Sequence, residues 1–199
     1  MLLWINGPFG VGKTQTAWWL EQRLPGSVLC DPEDVGSGLN RMLPSCLRGD
    51  FQDLPAWRQG VYEVLDLVLD QHQGPVIAAM TLVDPLSFDE TAGRLRDRGH
   101  DVCHVSLLAD REVVWGRLRG RGRGRGRLVP VRRPAPRRKH FATSRVDLCL
   151  ERLQEPRFAL QVWLDELTVT GIADVVAAAA GLALLPSDGG GLKGRLRRA

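Results

Sequence analysis

Cysteine is sparse in this 199-residue chain. Cys30, Cys46, Cys103 and Cys149 stand far apart with no C-x-x-C pair. That spacing excludes a zinc ribbon and a disulfide framework, so reduced cytosolic thiols are expected. Long apolar runs are also missing. The longest, from Val175 to Leu185, is broken by Gly181 and falls short of the roughly 20 residues that cross a bilayer. The opening Met1-Leu2-Leu3-Trp4-Ile5 carries no basic residue and meets a glycine loop at once. It is too short for a signal peptide, and a cytoplasmic protein is expected. Lysine is nearly absent, with only Lys13, Lys139 and Lys193 among 27 basic residues. His72, His100, His104 and His140 have no metal-ligand spacing and read as structural.

Acidic residues are missing where basic ones crowd. From Arg117 to Lys139 there are eleven basic residues and no acidic one, and the last stretch adds Lys193, Arg195, Arg197 and Arg198. Setting these fifteen aside leaves twelve basic residues against all 23 acidic ones. The net charge of +4 therefore hides a body of −11 with two basic appendages. The remaining composition, 44% hydrophobic and 25% charged, is that of a folded globular chain of about one domain. We expect one domain over 1–186, with the arginine segment 117–139 inserted in it and a flexible basic tail at 187–199.

Apolar runs alternate with helical patterns, which is the sign of βαβ units and a parallel sheet. Leu2 to Asn6 reads as a buried strand. Thr14 to Leu24 reads as a helix with Ala17, Leu20 and Leu24 on one face. A short strand from Ser27 to Cys30 is followed by a turn-rich stretch, Pro32 to Gly49, expected as loop with a short helix. A long helix carries Val61, Leu65, Val68 and His72 at helical spacing. Pro75 to Thr81 is a third, inner strand. The next helix starts at Asp84-Pro85 or at Ser87, and Asp101 to Leu108 is the fourth strand. Asp110 caps a helix running into the arginine segment. Order resumes at Phe141 as a helix to about Leu153. A fifth strand is expected at Leu167 to Thr170 and a last helix from Gly171 to Leu184. The sum is an α/β domain of three layers around a five-stranded parallel sheet.

The strongest motif is Gly7-Pro8-Phe9-Gly10-Val11-Gly12-Lys13-Thr14, a G-x-x-x-x-G-K-[ST] loop between a strand and a helix. Glycines let the backbone turn its N–H groups inward on phosphate, and the helix that follows aims its positive end at the same anion. Lys13 supplies a point charge to the β and γ phosphates, Thr14 offers a magnesium ligand, and Gln15 continues the nucleotide-binding run. The expected cofactors are ATP and magnesium. Asp31 leaves the end of the second strand on the edge where ligands of open α/β sheets bind, with Glu33 and Asp34 behind it. A carboxylate there accepts a proton from an attacking hydroxyl or holds magnesium through water. The bland alternative is a turn. Arg58, beside Trp57, is a candidate for lining the substrate pocket. The third strand ends without an Asp-Glu pair, so a motor ATPase is disfavoured against a small kinase-like enzyme. Asp84 either reaches magnesium or caps a helix before Pro85, and its position favours the cap.

The arginine segment admits three readings. As a lid it closes over the nucleotide, with Arg117, Arg119 and Arg121 as candidates to meet the phosphates. As an RGG-like strand it binds nucleic acid. As an insertion it is solvated and inert. A lid suits its position best, so no stable nucleic-acid partner is expected. The basic tail supports at most peripheral, reversible contact with anionic lipid. Trp18, Trp19, Trp57 and Trp115 fall on predicted helices and read as packing residues.

Through Trp4-Ile5-Asn6-Gly7-Pro8-Phe9-Gly10-Val11-Gly12-Lys13-Thr14-Gln15-Thr16-Ala17, Asp31-Pro32-Glu33-Asp34-Val35-Gly36 and Met80-Thr81-Leu82, the chain resembles the tunicamycin-resistance protein family. The likeness covers residues 1 to 110 well and Phe141 to Gly181 loosely. It implies a P-loop kinase-like fold of the nucleoside and shikimate kinase kind with an arginine-rich lid. It further implies ATP binding and a role in binding or modifying a small-molecule nucleoside antibiotic. More distantly the chain looks like chloramphenicol phosphotransferase and shikimate kinase. In those, a strand-end aspartate matching Asp31 and lid arginines serve phosphoryl transfer. On that resemblance Lys13, Asp31, Arg117 and Arg121 are the candidate catalytic residues. The insert between Arg121 and Lys139 departs from the pattern.

Overall fold

The computed structural model describes residues 1–120, 144–158, 160–164 and 168–186. Most of the arginine segment, Arg121 included, and the tail 187–199 lie outside them. Among the described residues the strands are β1 (Leu2–Asn6), β2 (Val28–Leu29), β3 (Val76–Ala79), β4 (Val102–Leu108) and β5 (Gln161–Trp163). They form one parallel sheet in the order β2-β3-β1-β4-β5. The register sets Leu2 beside both Val76 and Val102, and Ile5 beside Ala79 and Val105. Every residue of β1 is buried, as an inner strand with helices on both faces requires.

The pleat sorts the side chains. Leu3, Ile5, Ile77, Val105 and Leu107 point into one core with Ala17, Leu20, Val114 and Ile172. Leu2, Trp4, Val76, Ala78 and Leu108 point into the other with Trp57, Val61, Leu65, Leu95, Cys149 and Phe158. Successive side chains of a strand face opposite ways, so two cores and three layers follow. The first core is built on α1 (Lys13–Arg23), α6 (Arg111–Gly120) and α8 (Val169–Ala179). The second is built on α3 (Pro55–Gln71), α4 (Pro85–Phe88), α5 (Arg94–Asp97) and α7 (Val146–Arg152). A π turn over Asp89–Gly93 joins α4 to α5.

Three elements differ from their sequence reading. The stretch after Asp31 is a full helix, α2 (Pro32–Met42). Gly36 and Gly38 hide it in the sequence, but Gly36 is buried there, and a Cβ on it would strike the Phe51 ring. The glycine is thus a packing residue rather than a turn. The fifth strand is Gln161–Trp163, not Leu167 to Thr170. Thr168 instead caps α8, its Oγ1 accepting from the Gly171 N–H at 3.2 Å. The β-branched run imitated a strand, while β5 is a short edge strand with only Val162 turned inward. The last helix ends at Ala179, and Gly181 beyond it has φ +68°. No helix of the described residues is long and apolar enough to cross a membrane.

Candidate functional site

The loop from Gly7 to Gly12 leaves the buried carboxyl end of β1 and turns into α1. Gly7, Gly10 and Gly12 have φ of +151°, +92° and +112°, values an L side chain rarely adopts. Space adds to the demand. A Cβ on Gly7 would meet the Leu107 carbonyl oxygen at 2.7 Å, and one on Gly10 would meet Leu118 at 2.8 Å. The loop is thus wedged against β4 and α6. Val11 is buried, Phe9 packs against the first core, and Val11 N–H closes a turn on the Pro8 carbonyl. Gly12 caps α1 with no side-chain hydrogen bond. That is the geometry a phosphate requires at a helix N-terminus.

Lys13 Nζ lies over the loop, donating to the Gly7 carbonyl at 2.9 Å, the Pro8 carbonyl at 3.1 Å and Thr81 Oγ1 at 2.7 Å. Thr81 Oγ1 donates in turn to the Gly7 carbonyl at 2.8 Å. Thr81 follows β3, where a carboxylate would stand in a full NTPase signature, and here a hydroxyl holds the lysine. Thr14 and Gln15 are exposed at the start of α1, with Gln15 Oε1 3.7 Å from where a Gly12 Cβ would sit. The glycine cradle, the ammonium and the exposed hydroxyl fit a nucleotide phosphate with its magnesium.

Asn6 anchors the base of the loop, and sequence reasoning missed it. Its Oδ1 accepts from the Gly7 N–H at 2.8 Å and the Leu82 N–H at 2.9 Å, and its Nδ2 donates to the Leu82 carbonyl at 2.6 Å. The same amide meets His104 Nε2 at 3.1 Å. His104 is buried among Phe88 and Phe158. Burial, with Arg96 adding repulsion, pushes its pKa down to about 3, so the ring is neutral and Nε2 accepts. An asparagine closing an apolar strand was the only available sequence signal.

On the neighbouring edge Asp31 caps α2, its Oδ1 accepting from the Glu33 N–H at 2.9 Å. Glu33 and Asp34 stand in the first turn of that helix. Arg58 is almost wholly buried, its Nε donating to Glu90 Oε2 at 2.5 Å and its Nη1 to the Gln52 carbonyl at 2.8 Å. The π turn carries Glu90. Arg58 therefore braces this wall through partners of its own. Trp57 donates Nε1 to the Pro32 carbonyl at 3.0 Å and packs on Phe51. Asp84 caps α4, its Oδ2 accepting from Ser87 N–H and Oγ, both at 2.8 Å.

Of the arginine candidates on α6, Arg117 reaches the loop, Nη1 donating to the Val11 carbonyl at 3.0 Å. Arg119 lies over the Trp115 ring, 5.6 Å from its centroid, and Arg111 approaches the same ring while pairing with Asp147 at 2.6 Å. Away from the loop, at the amino end of β4, Asp66, Asp70 and His100 hold their ligand atoms within 4.8 Å. His100 bonds Asp66 at 2.6 Å and Arg98 neutralises both carboxylates at 3.6 and 3.8 Å. The trio fastens α3 to that turn.

Comparison with known proteins extends the picture. The family described as AAA domain matches residues 2–155. The solved structure of the Deinococcus radiodurans tunicamycin resistance protein is 30% identical, with a TM-score of 0.73, 93% of this chain and 98% of that one covered. A sugar kinase from Janibacter sp. HTCC2649 is 18% identical with a TM-score of 0.59, over 92% of this chain and 95% of that one. A gluconokinase from Sinorhizobium meliloti 1021 is also 18% identical, with a TM-score of 0.57 and 90% of each chain covered. The two kinases, at that identity, speak for the fold alone. No curated protein matches the chain.

Proposed function

From the premise that the chain belongs to the AAA domain family and, with its 30% identical relative, to the tunicamycin-resistance proteins, we propose that it is an ATP- and magnesium-dependent phosphotransferase. Its acceptor in this reading is a hydroxyl of a small molecule, an antibiotic of the nucleoside kind, and its place is the cytoplasm. The observation that carries the reading is the glycine-constrained loop with Lys13 Nζ held between the Gly7 and Pro8 carbonyls and Thr81. It stands at the carboxyl edge of a sheet whose next strands deliver Asp31 and Thr81.

The loop amides and Lys13 would hold the β and γ phosphates, and phosphate oxygens would take over from the Gly7 and Pro8 carbonyls as acceptors of the ammonium. Thr14 would hold magnesium, which when bound neutralises charge on the phosphates. Thr81 keeps Lys13 aimed through the exchange of partners. Asp31 accepts the proton of the acceptor hydroxyl. The oxygen so freed forms the bond to the γ phosphorus as the bond to the β–γ bridging oxygen breaks, and ADP leaves with that electron pair. Arg117, on α6 against the loop, is positioned to meet phosphate charge, and Glu33 to orient the acceptor.

Incubation with labelled ATP and a panel of nucleosides and nucleoside antibiotics tests the reading. Transfer of label is expected, and Asp31→Asn should lower turnover by about 100-fold or more with ATP affinity nearly unchanged. ATP bound tightly with label never transferred to any acceptor would refute transfer. It would leave a nucleotide-dependent binder that sequesters its ligand.

A further inference from the structure

Strand order fixes what lies between the two chemical ends of the site. In the sheet β3 separates β2 from β1, so Thr81, just beyond β3, stands between Asp31 beyond β2 and the phosphate loop beyond β1. An acceptor that meets both Asp31 and a phosphate held by Lys13 spans this end of β3. The side chain that reaches Thr81 is Gln52, in the short 3-10 turn Phe51–Asp53, whose Nε2 donates to the Thr81 carbonyl at 2.7 Å. Thr81 Oγ1 lies 2.7 Å from Lys13 Nζ. The Gln52 carboxamide is therefore joined to the loop lysine through a single residue.

That carboxamide has one orientation. A carbonyl only accepts, so Nε2 faces Thr81 and Oε1 is turned away from it. The backbone of Gln52 is held as well, its N–H donating to Asp50 Oδ1 at 3.1 Å and its carbonyl accepting from Arg58 Nη1 at 2.8 Å. The Asp50 side chain is only 8% exposed, and Arg58 is almost wholly buried, so both anchors of the turn belong to the body of the protein. Oε1 nonetheless has no partner among the described residues and stays open to solvent. Fastening the turn to Thr81 takes a donor alone. The amide adds a fixed acceptor beside the place of reaction, and a ligand without a donor for it leaves it unpaired.

We propose that Gln52 selects the acceptor, its Oε1 accepting a hydrogen bond from a second hydroxyl beside the reacting one. The acceptor class is then a diol, such as the ribose of a nucleoside. This rests on the phosphotransfer reading above for the reacting hydroxyl, while the selection itself is a property of binding.

Calorimetric titration of the full chain, with magnesium and a nonhydrolysable ATP analogue, tests it with ribonucleosides and their 2′- and 3′-deoxy and fluoro counterparts. Removing one of the two hydroxyls is expected to weaken binding by about tenfold or more. The fluoro compound, which cannot donate, should bind like the deoxy one. Gln52→Met, of similar length but without the oxygen, should bring the ribonucleoside down to the affinity of its deoxy counterpart, with affinity for the ATP analogue within about threefold. If Gln52→Met melts far below the unaltered chain, Gln52→Lys carries the test, since it keeps a donor for the Thr81 carbonyl and has no acceptor. A preference for the hydroxyl that survives in these variants, both nucleosides weakening together, would reduce Gln52 to a fastener of the turn and overturn the proposal. So would a fluoro compound that binds like the hydroxyl, or the failure of every ribonucleoside to bind. A preference lost with Gln52, but with no label passing from ATP to any acceptor, would refute transfer and leave the selection standing. Label passing equally well to ribonucleosides and to both kinds of deoxynucleoside would leave transfer standing and overturn the role of Gln52.

Discussion

Asn6→Ala is the substitution from which the structure predicts most. Asn6 is fully buried, and truncating it strips partners from three buried backbone groups: the Gly7 N–H, the Leu82 N–H and the Leu82 carbonyl. His104 Nε2 loses its donor as well. Each buried polar group left unpaired costs about 1–3 kcal/mol. Three backbone groups at the lower bound already amount to about 3 kcal/mol, and a water drawn into the vacated space would limit the excess. We expect a loss of about 3–4 kcal/mol, a large part of a typical stability of roughly 5–15 kcal/mol. Urea unfolding at neutral pH, followed by tryptophan fluorescence, measures it. The denaturant slope should stay constant, so the shift in midpoint reports stability. ATP affinity should fall too, since the Gly7 amide begins the loop. A loss below about 1 kcal/mol would refute the clamp as the structure describes it.

Two other perturbations separate effects that the sequence merges. Gly10→Ala and Gly12→Ala both force an L residue to positive φ, a strain of about 1–2 kcal/mol, but only at Gly10 does the new Cβ strike Leu118, at 2.8 Å. Gly10→Ala should therefore be worse by about 1–3 kcal/mol of overpacking, and adding Leu118→Ala should relieve it. Equal losses in unfolding experiments would show that the α6 wedge is not there. His104 makes stability depend on pH. Its native pKa of about 3 lies below the roughly 6.5 of an unfolded histidine. Its contribution is fully present above the unfolded pKa. As pH falls toward 3 the unfolded state binds the proton first, at about 1.4 kcal/mol per unit. His104→Gln keeps an acceptor for Asn6 without titrating, and should flatten the pH dependence of stability by about one proton across that window. Parallel curves for the two proteins would rule out a buried neutral His104.

The phosphate loop was legible in the sequence because its chemistry is local. Three glycines, a lysine and a threonine at set spacing suffice, and the strand and helix that must flank them show in periodicity. Asp31 was read the same way, as the residue leaving a short strand, and in the structure it caps α2 two residues beyond β2. The Asp84 cap could be read from the proline after it. What misled the reading was local imitation. Gly36 looked like a turn, and it is a helix residue pressed on Phe51. Leu167 to Thr170 looked like a strand, and Thr168 is a cap.

The partners of the site had no local signal. Asn6 and Leu82 are 76 positions apart, and Asn6 and His104 are 98. Its place beside Trp57 made Arg58 a candidate for lining a substrate pocket, while the fold gave it Glu90. By itself the sequence determined a parallel α/β sheet with a glycine-rich loop between its first strand and first helix, since each is written in neighbouring residues. Only the tertiary structure decided which groups hold that loop and that Arg117 reaches it, at the Val11 carbonyl. The strand order β2-β3-β1-β4-β5 brings distant segments to one edge, where the buried amide of Asn6 finds its partners because an unpaired buried polar group is costly.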